Sequence, residues 1–162
     1  MTLREISLTL PNRPGTLAGV ARVLAEARIN LAAVSVDSTS GKGRVRLIVS
    51  QPDRAVELLS ATGYPTEVRE MIAVRLEDRA GSFLRVLELL ARSKVNLQSV
   101  AILIAREGNQ PLVAISTDDM VRARKILEGA GFASTLAHTI VSNPDLVAAA
   151  PSIPSESVGM LL

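Results

Sequence analysis

The sequence holds no cysteine and no tryptophan, and only one histidine, one tyrosine and two phenylalanines in 162 residues. Without cysteine there are no disulfides, thiolate metal sites or cysteine nucleophiles. Tyr64, Phe83 and Phe132 are too few to stack single-stranded bases. No run approaches the ~18 uninterrupted apolar residues of a membrane span. The start, Met1-Thr2-Leu3-Arg4-Glu5, turns acidic too early for a signal or transit peptide. These absences set expectations: no cofactor or metal, no membrane, and the cytoplasm as the default compartment.

Charge of one sign is also scarce. Lys+Arg is 18 and Asp+Glu is 16, a net charge of +2. The pI near 9.5 reflects how little titrates between carboxylates and lysines, and does not signal a strong field. Residues 1–70 carry nine basic and seven acidic side chains, and residues 71–142 carry the same numbers. Neither half is the basic footprint that a phosphate backbone needs, so no nucleic-acid partner is expected. With 48% hydrophobic and 21% charged residues, the chain is expected to fold around a core.

A catalytic site is hard to assemble from what remains. His138 is a lone histidine in an expected strand, with no metal-spaced partners. Asp118-Asp119 falls where a helix cap belongs. Ser40-Gly41-Lys42-Gly43 resembles part of a phosphate loop, but lacks the first glycine and leads into a strand, so it is expected to be a hairpin turn.

What the chain does have is itself, twice. Asn12-Arg13-Pro14-Gly15-Thr16-Leu17 aligns with Asp78-Arg79-Ala80-Gly81-Ser82-Phe83 at an offset of 66, and residues 12–36 match 78–102 at eight of 25 positions. Asn30-Leu31 falls on Asn96-Leu97. After a short insertion Gly63-Tyr64 matches Gly131-Phe132 at an offset of 68. Each copy parses alike. Ile6, Leu8 and Leu10 alternate with polar residues as a half-buried strand, as do Ile72, Val74 and Leu76. Leu17, Val20, Ala21 and Leu24 make one helical face, repeated by Phe83, Val86, Leu87 and Leu90. A strand over 31–36 and a polar turn over 38–43 lead to the strand of Val45, Leu47 and Val49. Asp53 is expected to cap a second helix, and Asp118 or Asp119 its counterpart. Gly63 and Gly131 end these helices. Last strands are expected over 64–70 and 132–141.

The order β-α-β-β-α-β, twice, predicts an α+β fold: two ferredoxin-like repeats forming paired antiparallel sheets with helices on one face. The expected division is 1–70 and 71–142 for the repeats, with an irregular or disordered tail over 143–162. Pairing of the copies side by side would partly cover the bare sheet face and edges.

The repeated turn is the candidate site. It delivers a strand to a helix N-terminus, where unpartnered N–H groups and a positive dipole favour a carboxylate. Glycine permits close approach, and the Asn12 amide can both donate and accept. The alternative is a well-made turn and nothing more. In the second copy Asp78 brings a like charge near the helix end, expected to cap it or to hold a ligand's ammonium.

These residues resemble the ACT domains, small ligand-sensing modules of amino-acid metabolism. Asn12-Arg13-Pro14-Gly15-Thr16-Leu17 with Ala25, Asn30, Leu31 and Val34 resembles the signature closely, and Asp78-Arg79-Ala80-Gly81-Ser82-Phe83 with Asn96-Leu97 more weakly. The resemblance covers residues 2–142. It implies ferredoxin-like modules that pair into continuous sheets and bind an amino acid at the pairing interface, with contacts at Asn12, Arg13, Gly15, Thr16, Leu17 and Asn30, and at Asp78, Gly81, Ser82, Phe83 and Asn96. In the family's serine-sensing domain of phosphoglycerate dehydrogenase, asparagines matching Asn12 and Asn30 grip the ligand. That domain also uses a histidine where Leu10 stands here, and the second copy departs at Asp78 and Ala80.

The resemblance therefore implies a non-catalytic regulatory protein that binds a small amino acid, forms a homodimer and acts through a partner. One alternative is a regulatory small subunit of a biosynthetic enzyme, such as acetohydroxyacid synthase, with that enzyme as partner. Another is a ligand-free dimerisation module. A self-sufficient enzyme is least favoured.

Overall fold

A computed structural model describes residues 3–39, 41–107 and 109–134. The elements run β1 (Leu3–Pro11), α1 (Thr16–Glu26), β2 (Leu31–Thr39), β3 (Lys42–Val49), α2 (Pro52–Ala61), β4 (Thr66–Arg75), α3 (Ser82–Arg92), β5 (Leu97–Glu107), β6 (Gln110–Thr117) and α4 (Met120–Gly129). All strands join one antiparallel sheet in the order β2-β3-β1-β4-β6-β5.

The backbone repeats as faithfully as the sequence. Gly15 and Gly81, 66 apart, both sit at φ 85° ahead of their helices. Arg28 and Lys94 take φ 56° and 55° after them. The register shifts at the start of β2 and of β5, between Leu31 and Ala33 and between Leu97 and Ser99. Gly63 and Gly131 take positive φ past α2 and α4, and the next residues, Tyr64 and Phe132, close back onto Leu59 and Leu127 carbonyls. This is the left-handed stop that glycine makes without a Cβ penalty.

The two copies share a strand. The last strand of the first repeat and the first strand of the second run straight through as β4: residues 66–71 pair with β1, and 72–75 with β6. No glycine or proline interrupts this stretch, so nothing bends the chain at the expected division after residue 70. Even-numbered β4 residues share the helix-bearing face of both halves, which puts all four helices on one side of the sheet. Ile6, Leu8, Leu10, Val45 and Leu47 pack under α1 and α2 with Val20, Leu24 and Leu59. Ile72, Val74, Val113 and Ile115 pack under α3 and α4 with Val86, Leu90 and Leu127. Each such side chain, buried fully, contributes about 1.5–3 kcal/mol.

The opposite face is covered by the sheet itself. Leu3, Ala33, Ile48, Met71, Ala73, Leu103, Leu112 and Ala114 form a third apolar cluster there, and β2 and β5, at the two ends of the strand order, lie against each other without pairing. The sheet thus rolls toward a barrel with helices outside. Small alanines on the concave face let its halves approach.

Two local expectations change. Asp53 does not cap α2: Pro52 opens that helix behind Gln51, and Asp53, inside the first turn, pairs with Arg4 through two 2.6 Å bonds. Proline at the first helical position moves the start two residues early. Most of the expected 38–43 turn is strand instead, because β2 and β3 stay paired out to Thr39 and Lys42. Of the last strand, expected over 132–141, the described part bonds to β4 through Arg75 and Ser134 N–H groups. His138 and the 143–162 tail lie outside the described residues.

Candidate functional site

The two repeated turns open α1 and α3, and both helix ends lack a side chain to answer them. Gly15 and Gly81 stand at the caps, with no side-chain cap bond and no acidic residue in either first turn. The other two helices differ: α2 has Asp53 in its first turn, and Asp119 caps α4 by accepting the Arg122 N–H at 2.9 Å. Asp78 does not cap α3. It is drawn off to Arg106 at 3.0 Å. A Cβ on Gly15 or Gly81 would meet nothing within 4 Å, so each turn is open above the glycine.

Each turn is also stitched to its neighbouring hairpin. Asn12 donates its side-chain amide to Ser38 Oγ at 2.7 Å and its backbone N–H to the Gly41 carbonyl at 2.9 Å. In the second copy the Asp78–Arg106 pair plays this part, and Arg106 also reaches the Asn109 carbonyl at 3.1 Å. Arg13 is exposed and, among the described residues, forms no ion pair, whereas Arg79 is taken by Glu77. Glu77 also meets Arg85 at 3.1 Å, and these two arginines, Arg85 first, hold its carboxyl below the usual range. The first turn therefore presents an uncommitted cation that the second does not.

The remaining positions divide unevenly. Thr16 is half-buried and Leu17 exposed, while Ser82 is buried with its hydroxyl unpartnered and Phe83 is packed partly into the α3–α4 core. Asn30 and Asn96 immediately precede β2 and β5. Asn96 gives its backbone N–H and side-chain amide to Asp118, which lowers that carboxyl's pKa, the backbone bond contributing most. Asn30 gives its backbone N–H to Ser50 Oγ, and its side-chain amide makes no bond among the described residues. This repeated clamp between strand start and helix entry was not legible from the aligned residues.

β1 and β2 both run antiparallel to β3, so Asn12 and Asn30 of one repeat sit at opposite ends of the sheet. No hydrogen bond joins Asn12 to Asn96 either. What adjoins both edge strands is apolar: Val34 and Val36 on β2, and Val100, Ile102 and Ile104 on β5, are exposed. Ile102 and Ile104 are each 74% exposed. Among the described residues no cluster of histidine, cysteine, aspartate or glutamate could hold a metal ion, and no helix is long and apolar enough to cross a membrane.

The fold and its repeated turn define a duplicated ferredoxin-like module. The family model of an ACT domain pair matches residues 1–128, and the chain belongs to that family. Among solved structures it is similar to a protein from Bacteroides thetaiotaomicron, at 25% identity and a TM-score of 0.75, over 82% of this chain and 91% of that one. The ligand-free regulatory subunit of aspartate kinase from Thermus thermophilus shares the fold at 18% identity and a TM-score of 0.59, over 80% and 91% of the chains. The corresponding subunit from Thermus flavus does so at 15% and 0.57, over 81% and 94%. No curated protein matches the sequence.

Proposed function

We propose that the chain is a non-catalytic regulatory module that binds a small amino acid where two copies pair, and passes the bound state to a partner. The observation that carries it is the contrast among the four helix ends. α2 and α4 have acidic residues at their N-termini, while α1 and α3, which follow the repeated turn, have none. An uncapped end beneath an open left-handed glycine suits an incoming carboxylate. Arg13 beside it and the unengaged Asn30 amide at a strand start supply further donors and an acceptor.

Pairing is supported by the edges. β2 and β5 are 9 and 11 residues long, and among the described residues neither outer edge is hydrogen-bonded to another strand. β2 and β5 lie against each other within the chain, and Val34 and Val36 on one and Val100, Ile102 and Ile104 on the other stay exposed beside that seam, an apolar surface that a second copy would cover. A homodimer joined through these edges brings a turn of one copy toward the Asn30 or Asn96 of the other. Asn30 is free to receive a ligand there, whereas Asn96 is held by Asp118, so the Asn12 turn is the stronger site and the Asp78 turn the weaker.

The likeness to aspartate kinase regulatory subunits, together with the family, supports a cytoplasmic biosynthetic enzyme as the regulated partner. A ligand-free dimerisation module is the second reading, favoured by one observation: Asn12 and Asp78 are both already used to fasten their turns. Thermal melts in each common amino acid separate the two. A ligand at a hundred times its Kd adds about 2.7 kcal/mol, a rise of several degrees in a chain this small. A sensing module responds to at least one amino acid; a dimerisation module responds to none.

A further inference from the structure

Across β3, β1 and the start of β4, on the face of the sheet away from the helices, lies an open cavity of about 150 Å³ whose wall includes Ser7, Thr9, Arg44, Thr66 and Glu67. Ser7 and Thr9 flank Leu8, which is buried under the helices, so both point to the other face. Arg44 on β3 is the register partner of Thr9, and Glu67 on β4 that of Ser7, which puts all four on that face. Among the described residues none of these five side chains has a hydrogen bond or an ion pair within the chain.

The free cation follows from a choice made by its neighbour. Arg44 stands directly opposite Asp37 on β2, where a cross-strand ion pair belongs. The Asp37 carboxylate instead takes Arg46 Nη2 at 2.5 Å, and Arg46 is held further by Ser35 at 3.2 Å. Arg44 keeps a planar fork of donors that fits two oxygens of a phosphate, and the Ser7 and Thr9 hydroxyls beside it can donate to the same group. Glu67 lies on the other side of β1, two strand spacings and two residues away, roughly 12 Å between backbones. The two opposite charges share the cavity without meeting.

A carboxylate only accepts, and a ligand's hydroxyls supply the donors it lacks. A molecule with a phosphate at one end and hydroxyls at the other therefore answers both charges. A bare phosphate leaves Glu67 unanswered, and an uncharged polyol leaves Arg44 so. An α-amino acid carries its two charges on one carbon and does not span them. The volume lies below the roughly 300–1,000 Å³ of drug-sized pockets, which limits the ligand to a few carbons. We propose that this cavity binds a small hydroxylated phosphate ester of the size of glycerol 3-phosphate, with Arg44, Ser7 and Thr9 on the phosphate and Glu67 on the hydroxyls. The site belongs to the first repeat and faces away from α1, so it gives the module an input separate from the turn.

The test is an NMR titration of the full chain, following the Thr9 and Thr66 methyl groups, paired with calorimetry. The probes are glycerol 3-phosphate, inorganic phosphate and glycerol. Glycerol 3-phosphate is expected to shift these methyls saturably, and each of its halves to bind weaker by about tenfold or more. Arg44→Met should cost about tenfold or more for both phosphate-bearing probes. Glu67→Ala should bring glycerol 3-phosphate down to the affinity of phosphate, whose own binding it does not weaken. Arg13→Met at the Asn12 turn should change neither. Unmoved methyls, phosphate binding as tightly as glycerol 3-phosphate in the wild type, or full affinity in Arg44→Met would overturn the proposal. Binding lost in Arg13→Met but kept in Arg44→Met would overturn it too, and place the phosphate at the turn. Arg44 and Glu67 are exposed, so both cavity variants should fold. If either fails to, the wild-type methyl shifts and the ranking of the three probes decide alone.

Discussion

Asn96 and Asp118 hold each other at both ends of a small clamp: the carboxylate takes the Asn96 backbone N–H and side-chain amide at 2.9 and 3.0 Å, and the Asp118 N–H returns to the Asn96 carbonyl at 3.0 Å. The first repeat builds the same clamp from Asn30 and Ser50, but a hydroxyl stands where the carboxylate would be. One substitution thus decides whether the strand-start amide is engaged or free.

Replacing Asp118 by serine should make the second clamp like the first and release the Asn96 amide. Calorimetry with the preferred amino acid is expected to show added or tighter second-site binding in Asp118→Ser, with the first site unchanged. Asn30→Ala should weaken first-site binding by about 1–3 kcal/mol, the usual cost of leaving a desolvated polar group unpaired.

Acid should loosen the second clamp. The Asp118 carboxyl has a lowered pKa in the folded chain, chiefly through the Asn96 backbone N–H and then its amide. Its stabilising effect is therefore complete above the ordinary carboxylate value near ~3.9, and is lost as pH falls through the lower folded-state value. Melting curves of wild type and Asp118→Ala are expected to differ at pH 7 and to converge once the pH is taken below that value. A difference that persists there would contradict the assignment.

Gly15→Ala isolates the backbone cost of the turn. The added Cβ would meet nothing within 4 Å, but Gly15 sits at φ 85°. A left-handed alanine costs roughly 1–2 kcal/mol, so urea unfolding should show a loss of that size. Gly81→Ala should lose a similar amount, since its geometry is the same.

Charge on the edges should separate the copies. Val36→Lys and Ile102→Lys place an ammonium on side chains that are 50% and 74% exposed in the single chain. Changes at exposed positions usually stay within ~0.5 kcal/mol of wild-type stability. Sedimentation is expected to report a dimer for wild type and a 17.2 kDa monomer for the double variant. A wild-type monomer at micromolar concentration would remove the edge-pairing account.

Much of this fold could be read from residues 12–36 and 78–102, because the repeated apolar spacing fixes which faces turn inward. The same pattern hid the shared strand: alternation in 66–76 looks identical whether it belongs to one strand or two, and only pairing partners tell them apart. Nor did it show the rolled sheet, since Ala33, Ala73 and Ala114 carry little periodic signal on their own. At the site, the glycine turns were visible by position. The state of their neighbours was not, because Asn12 with Ser38, Asp78 with Arg106 and Asn96 with Asp118 are partnerships across 22 to 28 residues.

The central claim is that a small amino acid binds at the Asn12 turn. Calorimetry of the wild type, Asn12→Ala, Ser38→Ala and Gly15→Asp, with the amino acid that most raises the melting temperature, tests it most directly. Ser38→Ala removes the turn's side-chain fastening but keeps the amide, and so separates loss of a ligand contact from loosening of the turn. The account predicts saturable binding in the wild type, near-wild-type affinity in Ser38→Ala, a loss of about 1–3 kcal/mol in Asn12→Ala, and no binding in Gly15→Asp. Equal affinity in the wild type and Asn12→Ala, or binding that survives Gly15→Asp, would contradict it.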